Sequence, residues 1–292
     1  MNQTELNKIV AAHAEWLASD GANGERAKLT DVDLRGTTLS GANLNGAGLT
    51  GANLSCVDLS GADLRGAHLL CADLSHANLS GANLRGADLS NANLRNADLS
   101  GADLTNAFLV RSTLSRADLT GATLIRTTLT EASLRNAVLH RANLYTADLV
   151  AARLTGADLT GADLTDAEAA DADLEDANLT NAILSGADLR CSILTGAILQ
   201  GAKIDDVYGL WGCVGDQKHI VTIATGTYPV VYTTGFMQIG CEYHLISEWE
   251  QFDDARIAEM DGTKALRFWR EWKPRIFAQI EQSPAVPTGY GQ

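Results

Sequence analysis

Leucine returns every five residues over most of the chain, from Leu29 to Leu199. If Ile204 closes the series, it has 36 central positions, of which only Ala169 and Ile204 are not leucine. Alanine occupies 30 of the 36 positions that lie two residues earlier. In an α-helix, a spacing of five residues rotates the side chain by roughly 140° about the helix axis. In a β-strand, an odd spacing places successive side chains on opposite faces. Neither element therefore puts these leucines on one side. The chain is therefore predicted to turn once in every repeat.

Small and polar residues surround each central position. Glycine follows it by two residues in many repeats, as at Gly41 and Gly101, where a corner needs a permissive backbone. The Asp or Asn directly before the central residue can bond neighbouring amides at the same corner. The pattern predicts a coil with Leu and Ala inside, polar residues in water, and backbone hydrogen bonds between stacked turns.

The five residues 62–66, Ala-Asp-Leu-Arg-Gly, and their many near copies resemble the pentapeptide-repeat family, whose pattern is Ala-Asp/Asn-Leu-x-x. The resemblance implies a mainly β fold, a right-handed quadrilateral β-solenoid with four repeats in each coil. Residues 27–204 would then form about nine coils. With about 4.8 Å between stacked coils, the rod would be roughly 43 Å long.

An N-terminal segment, residues 1–26, precedes the repeats. Residues 4–19 are predicted to form an amphipathic helix with Thr4 as its N-cap and Gly21 beyond its end. An open solenoid end exposes unpaired backbone groups, which a helix laid across the first coil would cover. A capping helix is the favoured interpretation, and a separate partner-binding helix is the alternative. Its apolar face consists of Leu6, Ile9, Val10, Trp16 and Leu17.

A different composition begins after Ile204. Four of the five Trp and all four Pro lie in the segment 205–292, which is predicted to be a small α+β domain. Beyond capping the last coil, this domain is expected to contain the specific interaction surface or a homodimer contact, and about its last ten residues are expected to be disordered. Strands are predicted at 219–225, 229–234 and 236–241, and helices at 247–252, 254–260 and 263–281, with Pro274 kinking or dividing the last.

Charge is unevenly distributed along the repeats. The net charge is −14 and the pI is about 4.7, but five Arg between Arg111 and Arg141 form a locally basic stretch. No Lys or Arg occurs between Arg153 and Arg190. The acidic residues there are either a solvated surface that keeps the rod soluble or a docking surface for a basic protein partner. We call eight of them the acidic belt: Asp158, Asp163, Asp166, Glu168, Asp171, Asp173, Glu175 and Asp176.

The family resemblance also implies a narrower function. Some pentapeptide-repeat proteins mimic duplex DNA and bind DNA gyrase or topoisomerase IV. A DNA duplex as long as the rod would carry roughly 25 negative charges, whereas residues 27–204 hold 20 acidic and 13 basic residues, a net charge of −7. Mimicry by the whole rod is therefore disfavoured, although docking through the acidic belt stays open. Direct nucleic-acid binding is not expected, because no aromatic platform accompanies the Arg residues.

Catalytic and metal chemistry have weak support. Cys213, His219, Cys241 and His244 are candidate zinc ligands, but the spacing of the first pair fits no common finger. A Cys241–His244 nucleophile pair lacks a third, orienting residue. Phosphate-binding loops, metalloprotease helices and hydrolase elbows are absent from the sequence. We therefore expect a non-enzymatic interaction protein without a cofactor, and a zinc protein or Cys/His enzyme is the alternative.

The apolar runs are too short for a transmembrane helix, and the N-terminus lacks the pattern of a signal peptide. Five Cys in a chain of 292 residues do not suggest a disulfide framework. These features favour a cytoplasmic location without membrane association.

Overall fold

A ladder of parallel backbone bridges organises residues 27–204. The computed structural model describes residues 1–204, 207 and 209–289. Bridges join residues 20 positions apart, from Lys28 with Gly48 to Ile183 with Lys203. Four five-residue repeats therefore separate each residue from its neighbour in the next coil, and the repeats form a β-solenoid, as predicted.

The interior of this rod holds the central residue of each repeat and the residue two positions before it. Leu94 and Ala92 are at most 1% exposed, as are most of their counterparts along the rod. At Ala169, where a leucine is missing, the backbone ladder is intact, and the amide donates to Asp188 O at 2.9 Å. The predicted inward column is confirmed.

The corners of the rod lie two residues after each central position. Gly101 has φ of 64° there, and Arg111, at an equivalent corner, has φ of 55°. Positive φ is the reason for the frequent glycine, although Asp, Asn and Arg adopt the same conformation at other corners. Directly before the central residues, carboxylates such as Asp98 bind the backbone: its Oδ1 accepts a hydrogen bond from Ser100 N at 2.9 Å.

The helix α1, Gln3–Ala18, lies across the first coil. Its N-cap is Asn2, because the Asn2 side chain accepts from Glu5 N while Glu5 accepts from Asn2 N. The prediction of Thr4 as N-cap is therefore wrong by two residues. The Gln3 side chain donates to Thr38 O at 3.1 Å and accepts from Thr38 N at 2.8 Å. These bonds occupy backbone groups of the rod that the first coil would otherwise expose.

The ladder of parallel backbone bridges continues beyond Ile204, where the five-residue sequence pattern ends. Ile193 forms a parallel bridge with Val214, 21 residues later, so this coil contains one extra residue. Leu210 and Cys213 are fully buried in the same core as the rod leucines. The expected division between 27–204 and 205–292 begins at residue 205, outside the described residues, and we find the rod interior extending to Cys213.

The chain then forms a four-stranded antiparallel meander, in the order β1-β2-β3-β4. The three predicted strands are present, but each is shorter than expected. The fourth strand is missing from the prediction, although its residues Glu-Tyr-His-Leu alternate between polar and apolar. The strands are β1 Val221–Ile223, β2 Val230–Tyr232, β3 Phe236–Ile239 and β4 Glu242–Leu245.

Two helices cover this sheet, α2 Ile246–Gln251 and α3 Asp254–Gln282. Non-helical dihedral angles at Asp261 and Gly262 interrupt α3 between the two segments that the sequence predicts. The expectation that Pro274 divides the helix is wrong, because α3 continues through it. Among the described residues, none of the helices combines the length and the apolar character that crossing a bilayer requires.

The last described residues return to the rod. Val286 N donates to Lys218 O at 2.8 Å, and Gly201 N donates to Thr288 O at 2.5 Å. Residues 283–289 are therefore bound, which corrects the prediction of a disordered C-terminus for this part; residues 290–292 lie outside the described chain. The physical reason is that this segment donates a hydrogen bond to Lys218 and accepts one from Gly201 of the last coil, which the sequence pattern does not reveal.

Candidate interaction surfaces

The outer surface of the rod changes character in its last coils. The position before each central residue points outward, and among its first 31 occurrences only Phe108 and Val138 are large and apolar. Three of the last five occurrences are isoleucine. Of the apolar side chains at this end, four are 41% to 51% exposed. We call them the apolar collar: Ile193, Ile198, Trp211 and Val214.

The ladder brings part of the collar together. Ile193 and Val214 are bridge partners and therefore neighbours on one face, and Ile198, one repeat after Ile193, lies on the adjacent side of the coil. Trp211 stacks above Cys191, whose amide donates to Trp211 O at 2.9 Å, and Trp211 also lines a cleft with Gln238 and Tyr243 of the sheet. Clustered exposed apolar side chains mark interaction sites more often than scattered ones do. The sequence analysis missed the collar, although isoleucine in a position otherwise polar is a visible signal.

The acidic belt does not form one face. Successive repeats occupy successive sides of the coil, so Asp158, Asp163, Glu168 and Asp173 point in four different directions. Only Glu168 stacks between two further acids, Asp148 and Asp188. Three other members occupy corners with positive φ: Asp166, Asp171 and Asp176.

Several belt carboxylates have partners within the rod. Asp163 Oδ1 accepts from Thr165 N at 3.0 Å and from the Thr165 hydroxyl at 2.6 Å. Asp173 accepts from the Thr155 hydroxyl at 2.7 Å and lies 3.9 Å from the Arg135 guanidinium. The belt is thus a ring whose charge is partly used internally, rather than a flat surface that faces one partner.

The four candidate zinc ligands lie in separate environments. Cys213 is buried beside Ser192 at 3.5 Å, and burial raises the pKa of its thiol to about 12. His219 Nδ1 is 2.7 Å from Val286 O, Cys241 is exposed, and His244 lies 3.1 Å from Glu242. No group of three or more His, Cys, Asp or Glu in the described part of the chain could hold a metal ion.

Comparisons with known proteins agree with the repeat geometry. The family model described as "Pentapeptide repeats" matches in eight copies, over residues 20–66 and 72–207. A search of curated proteins found no match.

HetL, a pentapeptide repeat protein involved in heterocyst differentiation regulation from the cyanobacterium Nostoc sp. strain PCC 7120, is 33% identical. The match covers 70% of this chain and 95% of HetL, with a TM-score of 0.48. QnrB1, a plasmid-mediated fluoroquinolone resistance protein, is 24% identical over 62% of this chain and 90% of its own, with a TM-score of 0.39. Rfr23 from the cyanobacterium Cyanothece 51142 is 34% identical over 41% of this chain and 64% of its own, with a TM-score of 0.23.

Proposed function

Because the chain belongs to the pentapeptide-repeat family, we propose that it is a non-enzymatic interaction protein whose rod positions a partner-binding region at its C-terminal end. The observation that carries this proposal is the apolar collar, where side chains up to 51% exposed replace the polar outer residues of earlier coils. A cluster of exposed apolar side chains marks an interaction site, because a partner that covers it removes apolar surface from water. The proposal also includes about nine coils, a number that the period of 20 residues supports, and a right-handed coil, which the family resemblance suggests.

The rest of the rod is a spacer in this proposal. Its outward carboxylates bind the backbone two residues later, as Asp118 does with Thr120 N at 2.8 Å and Asp98 with Ser100 N at 2.9 Å. A partner would have to break these bonds or leave them in place without gaining from them. The middle of the rod therefore offers less binding energy than the collar.

The partner is a protein with an apolar surface that complements the collar. A second copy of this chain is one such surface, and a homodimer through the collar and the adjoining sheet is the alternative form of the proposal. Sedimentation of the purified chain distinguishes the two. A dimer that dissociates when the collar is made polar supports the homodimer, and a monomer supports a different protein.

Topoisomerase binding is the narrower version, which the family resemblance suggests. The encircling arrangement of the acidic belt disfavours it, because DNA presents its charge as two continuous strands and this rod carries Arg135 and Arg153 on the same side as Asp173. A supercoiling assay with purified gyrase tests it. If the chain does not change supercoiling by gyrase at micromolar concentration, topoisomerase binding is excluded and the collar proposal is unaffected.

The collar is tested by restoring the repeat pattern. Ile193→Asn and Ile198→Asn introduce a residue that other coils already tolerate at the same position, such as Asn178 below Ile198. Val138→Asn is the matched control, because Val138 occupies the same column and is 37% exposed. We expect affinity capture with the double variant to lose the partner and capture with the control to keep it. Equal capture by both chains contradicts the proposal.

A further inference from the structure

A cavity of about 260 Å³ lies between the β3–β4 end of the sheet and α3. Its apolar wall contains the rings of Trp249, Phe268 and Trp269, each at most 5% exposed. Ligand sites commonly measure about 300 to 1,000 Å³, so this one suits a single side chain or a very small molecule. The cavity is separate from the collar, and no step of the proposed function uses it.

The aromatic wall is held in place by contacts among its own rings. The Trp249 and Trp269 centroids are 5.3 Å apart, and Tyr228 meets Phe268 edge-on at 5.0 Å. Trp249 is fixed further by its Nε1, which donates to Met237 O at 2.8 Å. Aromatic faces attract cations through the negative charge density above the ring. A rigid group of such rings therefore favours an ammonium group over a neutral one of the same shape.

The rim of the cavity is acidic. Glu242 and Asp261 both line it, and their side chains are 31% and 57% exposed. Glu242 already contacts His244 at 3.1 Å and lies 4.0 Å from Arg256, so Asp261 is the more available carboxylate. The Tyr228 hydroxyl donates to Asp261, which fixes that carboxylate beside the ring. Burial and this hydrogen bond raise the pKa of Tyr228 to about 12, which keeps the phenol neutral.

An ammonium group from the chain itself already lies at this rim. Lys264 Nζ is 4.9 Å from the Tyr228 ring centroid and 3.8 Å from Asp261 Oδ2. The Lys264 side chain is 65% exposed, and exposed ion pairs of this kind contribute little stability. The rim thus has the geometry for a cation, and its present occupant can be displaced.

From these observations we propose that the cavity binds a small organic ammonium ion. The alkyl groups on the ammonium nitrogen contact the rings of Trp249, Phe268 and Trp269, and the positive charge lies close to the rim. Tyr228 supplies the aromatic face for the head, and Asp261 supplies the opposite charge. The ammonium group comes either from a free molecule or from a methylated lysine of a peptide, which present the same chemistry.

The three methionines give a direct readout. Met260 lines the cavity, whereas Met237 lies in the sheet and Met1 at the N-terminus. In the full-length chain labelled with ¹³C at the methionine methyl groups, choline is titrated and compared with its neutral isostere 3,3-dimethylbutan-1-ol. We expect choline to shift the Met260 resonance, to leave Met1 unchanged, and to bind at least about fivefold more tightly than the alcohol.

Two variants change the choline affinity in opposite directions. Asp261→Asn keeps the shape and the acceptor for Tyr228 but removes the charge, so choline should bind about 5- to 10-fold more weakly. Lys264→Gln removes the internal competitor, so choline should bind more tightly. Glu259→Gln is the matched control, because this exposed carboxylate of α3 does not line the cavity. None of these three substitutions should change the affinity for the neutral alcohol.

A peptide with trimethyllysine identifies the source of the ammonium group. Tighter binding of the peptide than of choline indicates a protein ligand, and equal binding indicates a free molecule; both results support the proposal. Equal affinity for choline and the alcohol overturns it, and so does the absence of a Met260 shift with choline and with the peptide. Since the collar variants leave the cavity unchanged, this failure is distinguishable from failure of the proposed function.

Discussion

The rod and the C-terminal region bury their apolar side chains in different ways. In the rod, Leu94 lies in a column with Leu74 and Leu114, and each meets a near copy of the same surroundings. In the C-terminal region, Trp249 contacts His244, Phe252 and Trp269, each at a different angle. Because each repeat of the rod packs in nearly the same way, no position in its interior differs from the others. The irregular packing of the C-terminal region can enclose a cavity.

This difference has an energetic counterpart. A solenoid is stabilised by nearest-neighbour contacts, so equivalent positions along it should contribute similarly. The C-terminal core is a single cluster, in which one large ring contributes to many contacts at once. Substitutions should therefore have uniform effects in the rod and widely differing effects in the C-terminal region.

The largest effect is expected for Trp249→Ala. This ring is 1% exposed and donates to Met237 O, and removal of a buried Trp typically costs about 3 to 5 kcal/mol. Unfolding of the C-terminal region, followed by near-UV circular dichroism, should shift to lower denaturant, while the rod transition in the far-UV stays in place. Trp272→Ala, at a partly exposed ring of α3, is the control and should shift it less.

Leucine truncations in the rod test the uniformity. Leu94→Ala and Leu134→Ala should each cost about 2 to 5 kcal/mol and should differ from each other by less than about 1 kcal/mol, because both leucines occupy the same side of the coil. Guanidinium titrations of the two variants give the comparison. A large difference between them would mean that the rod is not energetically periodic.

The junction between the two regions depends on one buried amide. Gln238 Oε1 accepts from Leu210 N at 2.6 Å, and its Nε2 donates to Gly240 O at 3.1 Å. Gln238→Met leaves these groups without partners, at an expected cost of about 1 to 3 kcal/mol. The denaturation midpoints of the rod and of the C-terminal region should then differ by more than they do in the wild type. Gln279→Met, at an exposed position of α3, should leave their separation unchanged.

The N-terminal cap should weaken in acid. His13 is buried, its Nδ1 accepts from Ala27 N at 3.2 Å, and burial lowers its pKa below the ordinary value of 6.5. The unfolded chain therefore takes up the proton first, so the free energy of unfolding falls as pH drops below about 6.5. Proteolysis of the N-terminal segment against pH measures this. His13→Asn, which keeps an acceptor but does not titrate, should show a weaker dependence in this range.

The smallest effect is expected at the exposed Arg111–Glu131 pair. The guanidinium Nε lies 2.8 Å from Glu131 Oε2, but both side chains are about half exposed or more. Glu131→Gln should change the denaturation midpoint less than any substitution above, and the change should disappear in high salt. A shift comparable to that of Leu94→Ala would show that this surface ion pair stabilises the rod as much as a buried leucine does.

The sequence was sufficient for the rod, because a five-residue period requires one turn in every repeat and the family resemblance implies four repeats in each coil. The inward Leu and Ala columns, the glycine corners and the break in α3 near Gly262 all follow from local patterns. The bound segment 283–289 does not, since its stability comes from partners distant in sequence, such as Val286 with Lys218. The strand β4 is missing from the prediction although it pairs with the adjacent strand β3. The cavity combines Tyr228 with Trp269, which only the tertiary fold brings together.

The acidic belt shows that charged residues close together in the sequence of a solenoid need not lie on one surface. Eight acids that are close in sequence are interpreted above as either a solvated surface or a docking surface, and the coil distributes Asp158, Asp163, Glu168 and Asp173 around its circumference. Residues that share a face are 20 apart, not five. A charge pattern in a solenoid therefore has to be read by column before a surface can be inferred from it.

The central claim is that the partner covers the collar and not the middle of the rod. Hydroxyl-radical footprinting of the chain with its captured partner tests it directly, because both regions carry exposed oxidisable side chains. Trp211 and Ile198 report on the collar, and Phe108 and Tyr145 on the middle of the rod. We predict that the partner protects Trp211 and Ile198 while Phe108 and Tyr145 oxidise as in the free chain; protection of the second pair alone would contradict the account.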